Sequence, residues 1–83
     1  INQYKDSKFA IRALKRKAFL MEDIGDTLGA VATFVRVKEK ASNFRAGFQL
    51  FRIGKLEKAL EIFSSYKEPD FIYWQIRTKE RLG

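Results

Sequence analysis

Apolar positions recur at three- and four-residue steps along most of the chain, which is the period of a helix packed on one side. Ile11, Leu14, Ala18, Met21 and Ile24 make one such stripe. It predicts a helix over residues 6–24, with Asp6 or Ser7 as its cap. A basic stripe of Lys5, Lys8, Arg12 and Lys15 runs beside it, with Phe19 inside its arc. A second helix is predicted over 27–40, capped by Asp26 or Thr27, with Leu28, Val31, Ala32 and Val35 facing inward. Ser42 would cap a third, over 42–53, which places Phe44, Phe48 and Phe51 on one face. A fourth, over 55–66, turns Leu56, Ala59, Leu60 and Phe63 inward and Glu57 and Glu61 outward. The helix-starting pair Pro69-Asp70 opens a fifth, over 70–82.

Two stretches also fit a period of two. Val31, Thr33, Val35 and Val37 alternate with less apolar neighbours, as do Phe44, Ala46, Phe48 and Leu50. With 38–43 as a hairpin loop and 71–77 as a third strand, the rival architecture is a small α+β domain in the order α-β-β-α-β. The all-α reading is preferred because a repeat ties 19–34 to 48–63.

That repeat is set by Gly25, Gly54 and Gly83, which stand 29 residues apart. Ile24, Ile53 and Leu82 precede them. Ala30 and Ala59 follow the first two in step, then Phe34 and Phe63. Upstream, Ala18 matches Gly47 and Phe19 matches Phe48. The third copy matches only in part. A helix ended by glycine, a turn, and a second helix with a small residue and then an aromatic one turn on describe a helical hairpin. One hairpin cannot bury its apolar face alone, so copies stack. The copies run about 11–39, 40–68 and, in part, 69–83, within a single small domain spanning 1–83.

The segment 46–63 in particular resembles the tetratricopeptide-like helical repeats, with a small residue, a turn glycine, then alanine and an aromatic in register. The period departs from the ~34 residues usual for that family, which implies short second helices or connections. The resemblance implies a stacked array whose first helices line a concave groove for peptides. By offset from each glycine, those positions are Arg12, Lys15, Phe19, Glu22 and Asp23, then Phe44, Phe48, Phe51 and Arg52, then Tyr73, Arg77, Glu80 and Arg81. Arg12, Lys15, Phe19, Phe48, Arg52, Tyr73 and Arg77 are the expected partner-binding residues. Phe44, Phe48 and Phe51 read equally as core.

Composition narrows the chemistry. The chain has 83 residues, 46% of them hydrophobic, 14% aromatic and one proline, so it reads as a folded domain rather than a disordered tail. It begins at Ile1 rather than Met, as a fragment or a processed product would. Cysteine and histidine are absent, which removes disulfides, thiolate and imidazole ligands and the commonest general base. Glu22, Asp23 and Asp26 form the main acidic cluster, and they read as a solvated helix end rather than a Mg²⁺ or Ca²⁺ site. Gly25-Asp26-Thr27-Leu28-Gly29 lacks the following Lys-Ser/Thr of a phosphate loop. No cofactor, metal or catalytic residue is expected, and the chain is not expected to be an enzyme.

The net charge of +7 is concentrated in residues 1–20, where six cations face Asp6 alone. Such a basic end attracts an anionic partner. The leading expectation is a non-catalytic protein–protein interaction or scaffold module that takes another protein or an acidic, apolar peptide on a basic, aromatic helical face. The alternative is RNA or DNA held by the basic N-terminal helix. Self-association as a small subunit of an assembly is a third class. No apolar run nears the ~20 residues of a membrane span, and no secretory h-region is visible, so an intracellular location of unknown compartment is expected.

Overall fold

In the computed structural model, which describes residues 8–83, the chain forms five helices: α1 (Lys8–Asp23), α2 (Thr27–Val37), α3 (Lys40–Arg52), α4 (Leu56–Phe63) and α5 (Pro69–Leu82). The fold is all-α, and no strand occurs among the described residues. The α-β-β-α-β alternative is thereby overturned: 31–37, 44–50 and 71–77 are all helical. Ala30, Phe34 and Val37 bury along one helical face of α2, as do Ala46 and Leu50 along α3, so packing overrides the β-branched preference of 31–37. Lys5 and the predicted caps Asp6 and Ser7 lie outside the described residues.

The hairpin turns follow from their glycines. Gly25 and Gly54 have φ of +86° and +84°, a left-handed conformation that a Cβ disfavours. Asp26 caps α2, its Oδ1 accepting from the Gly29 N–H at 3.0 Å. Lys38, itself left-handed, stops α2 at Val37 rather than at the predicted residue 40. That early stop lets α3 begin at Lys40 after an extended Glu39. Ser42, the predicted cap, is consequently a buried residue inside the helix. Pro69 takes the first turn of α5, where its missing N–H costs no intrahelical bond.

Each helix packs on the next in sequence, giving an elongated array of 47 × 29 × 16 Å. Two apolar centres run through it. Ala18, Ala30, Phe34 and Ala46 form the first, and Leu50, Ala59, Phe63 and Phe71 the second. The repeat's small residues make the close crossings. A Cβ on Gly47 would lie 2.9 Å from the Phe63 ring, so α3 and α4 approach as near as a glycine allows.

The inward face of α2 departs from the periodic expectation. Ala30, Thr33, Phe34 and Val37 are buried, Val31 is half-buried, and Leu28, Ala32 and Val35 are exposed. Small residues let α2 sit tightly between α1 and α3, and Thr33 is buried at little cost because its hydroxyl donates to the Gly29 carbonyl at 2.8 Å. The larger aliphatics instead line a shallow hollow of about 640 Å³ between α2 and α4.

Candidate partner-binding face

The odd-numbered helices meet each other through side chains. Between α1 and α3, the Glu22 carboxylate accepts from Arg45 Nη2 at 2.8 Å and Nε at 3.0 Å, and from Gln49 Nε2 at 2.8 Å. Glu22 is largely shielded, at 12% exposure, while Arg45 keeps 48%. The hydrogen bonds it donates to Glu22 hold the Arg45 guanidinium above its ordinary pKa, more firmly charged than in water. Glu22, expected within a solvated helix end, is instead the shielded link from α1 to α3. Asp26 is occupied by its cap.

Between α3 and α5 the contact is aromatic. Phe44 meets Phe71 edge-on at 5.2 Å, while Phe48 and Phe51 both meet Trp74 edge-on at 5.3 Å. The Arg81 guanidinium lies 5.2 Å from the Phe51 ring centroid. These three phenylalanines are half-buried, so the predicted aromatic stripe of α3 is largely the seam between two helices.

The expected site residues therefore fall into two groups. Arg12, Lys15 and Phe19 lie on α1. Arg12 is exposed and has no ion pair among the described residues, whereas Lys15 pairs with Glu39 at 2.6 Å. Phe19 stands edge-on to Phe34 at 5.2 Å and under the Arg45 guanidinium at 4.9 Å, and keeps much of its ring accessible. Phe48 and Tyr73 each meet Trp74 edge-on, and Arg77 lies over Tyr73. The Tyr73 hydroxyl accepts from Arg77 Nη1 at 2.9 Å, and both residues are exposed. Arg52, exposed, donates to Gln49 Oε1 at 3.2 Å, which joins it to the Glu22 link.

The two crossings are related by the repeat, and they differ at several matched positions: Lys15 answers to Phe44, Glu22 to Phe51, Ser42 to Phe71 and Arg45 to Trp74. Phe19 and Phe48 match at the 29-residue offset, and so do the residues that cover them, Arg45 and Trp74. Trp74 closes the second crossing with its indole. Arg45 leaves the first one open as a groove of about 390 Å³, lined by Lys15, Phe19, Phe34, Glu39, Phe44 and Arg45 among others. Arg45 is the functional candidate that the sequence reading missed; its place opposite Trp74 in the repeat was the signal available for it.

Comparison with known protein families, curated proteins and solved structures gives no match. No helix among the described residues is long and apolar enough to cross a membrane.

Proposed function

We propose that the chain is a non-catalytic interaction module of tetratricopeptide-like helical hairpins, which holds an extended acidic and apolar peptide of a partner protein in the α1–α3 groove. The observation that carries this reading is the exchange of Trp74 for Arg45 at equivalent crossings. It leaves an aromatic floor, Phe19, beneath a fixed guanidinium. Such a pair takes an apolar side chain on the ring and a carboxylate on the exposed guanidinium N–H groups. Glu22 already occupies one edge of Arg45, which fixes the side chain in place before a ligand arrives and lowers the ordering cost of binding.

Local charge supports a peptide over a nucleic acid in this groove. Lys15 is paired with Glu39 and Arg45 with Glu22, so the groove offers the outer N–H groups of one guanidinium rather than a row of free cations. A phosphate backbone needs several free cations in a row.

The test is fluorescence anisotropy of a labelled peptide alternating glutamate with leucine or phenylalanine, against the same peptide with lysine for glutamate. The glutamate form is expected to bind, with Phe19→Ala weakening it about tenfold. Equal binding of both peptides, or no response to Phe19→Ala, would overturn the reading. So would tighter, steeply salt-dependent binding of a generic oligonucleotide that Phe19→Ala weakens equally.

A further inference from the structure

The outward face of α1, on the side away from α2 and the groove, carries an apolar stripe, continued by Ile24 just past the helix, that no described residue covers. Phe9, Leu20 and Ile24 are 81%, 57% and 79% exposed, and Ala13 lies between them. Arg12 and Arg16 flank the stripe on one side and Lys17 on the other, all exposed and without an ion pair among the described residues. Phe9, Arg12, Ala13 and Arg16 line a depression of about 490 Å³ at its start.

The second hairpin shows what occupies the middle of the corresponding face, while Phe9 and Ile24 answer to Lys38 and Ile53, which are exposed there. Moving 29 residues on, Ala13, Lys17 and Leu20 become Ser42, Ala46 and Gln49 of α3, which are 6%, 0% and 9% exposed. Ala46 is buried against Ala30 and Phe34 of α2, so the cover is a helix. The same offset carries Arg16 onto Arg45, which takes the Glu22 carboxylate from the preceding hairpin through two nitrogens. Arg16 thus stands where the repeat places a carboxylate acceptor, with no carboxylate supplied by the described residues. Lys17 replaces Ala46, so a helix seated here must also offer an acidic side chain to Lys17.

We infer that the outward face of α1 docks an amphipathic helix of a partner protein whose apolar stripe is flanked by carboxylates, laid over Ala13 and Leu20 with an acid on Arg16. A second copy of this chain does not fit the role. Each copy carries a net charge of +7, and the acids beside its exposed aliphatics come with cations: Glu61 with Lys55 and Lys58 at the α2–α4 hollow, and Glu80 with Arg77 on α5. This surface is separate from the groove, and its occupant is helical where the groove's is extended.

The probe is a labelled synthetic helix of about 18 residues, long enough to hold four to five turns, with a leucine stripe flanked by glutamates. Controls carry lysines in place of the glutamates, or the same residues scrambled to erase the stripe. The glutamate helix is expected to bind with a Kd below about 100 µM. Arg16→Glu with Lys17→Glu should weaken it about tenfold at low salt, and Leu20→Ser should weaken it severalfold. All three positions are exposed, so the variants should fold, which circular dichroism checks. Phe19→Ala, in the groove, should leave this binding unchanged, so failure here and failure of the groove are told apart. Amide hydrogen exchange should slow on α1 when the helix is bound.

No binding of the glutamate helix overturns the proposal. Equal binding of the scrambled peptide also overturns it, because the attraction would then be charge alone. So does an oligonucleotide or a phosphatidylserine vesicle that binds through Arg16 and Lys17 while the helix does not.

Discussion

Replacing Gly47 by alanine sets two effects of known sign against each other. In an exposed helix interior, alanine is favoured over glycine by about 1 kcal/mol. Here the new Cβ would lie 2.9 and 3.0 Å from two atoms of the Phe63 ring and 3.3 Å from Ile62 Cγ2. Phe63 is fully buried and touches the rings of Phe44, Phe71 and Trp74, so it has no vacant space to turn into. Forcing a methyl group into such a core costs about 1–3 kcal/mol. Overpacking therefore wins, and Gly47→Ala should destabilise the fold by about 1 kcal/mol net. The sign should reverse once the ring is trimmed: in a Phe63→Leu background, Gly47→Ala should stabilise by up to about 1 kcal/mol. Urea unfolding followed by far-ultraviolet circular dichroism reads both effects as shifts in midpoint at constant slope. If Gly47→Ala stabilises the unmodified protein by the full helical preference, the ring yields freely and the close crossing of α3 and α4 is no constraint.

Two further predictions concern the turn and the charge links. Gly54→Ala should cost about 1 kcal/mol by thermal unfolding, because φ of +84° strains any Cβ while nothing crowds it, and Gly54→Asn should cost less. Hydrogen bonding to Lys40 lowers the Glu68 pKa below its ordinary 4.5, so the pair's stabilisation is present above that pH and fades as acid reaches the folded pKa. Glu68→Gln should flatten that acid-side loss in a pH series of unfolding midpoints, and both side chains are exposed enough that the change is small.

The helices and their turns were legible because period and glycine placement are local signals. The repeat was the better guide to the core: it put Ala30 and Phe34 in step with Ala59 and Phe63, and all four are buried. Counting hydrophobic residues on α2 failed because burial there is decided by how closely three helices approach, which favours Ala30 and Thr33 over Leu28 and Val35. Ser42 misled because a serine before an apolar run looks the same whether it caps a helix or packs inside one. Among the expected site residues, Phe19 is 44% exposed, while Phe48 is half-buried against Trp74. The link between Glu22 and Arg45 spans 23 residues and two turns, so no local pattern announces it.

The two hairpins act as controls for one another. Where they agree, at Ala30 and Ala59 or Phe34 and Phe63, the residues are buried, and packing explains the agreement. The exchange of Trp74 for Arg45 is of another kind, since both sit over a matched phenylalanine, at 5.3 and 4.9 Å. An indole there buries area and closes the crossing; a guanidinium keeps the crossing open and carries charge. Arg45→Trp should therefore set an indole over Phe19 as Trp74 stands over Phe48. Arg45 already lies over the Phe19 and Phe34 rings, and its loss would leave the shielded Glu22 carboxylate with Gln49 alone, so the unfolding midpoint should fall by an amount that the indole's burial only partly offsets. Binding of the glutamate-containing peptide should fall at least about tenfold, with loss of both the open ring and the cation. If the folded variant still bound that peptide as well as the parent does, the open crossing would be a packing variation, and the α1–α3 groove would have no claim to the partner.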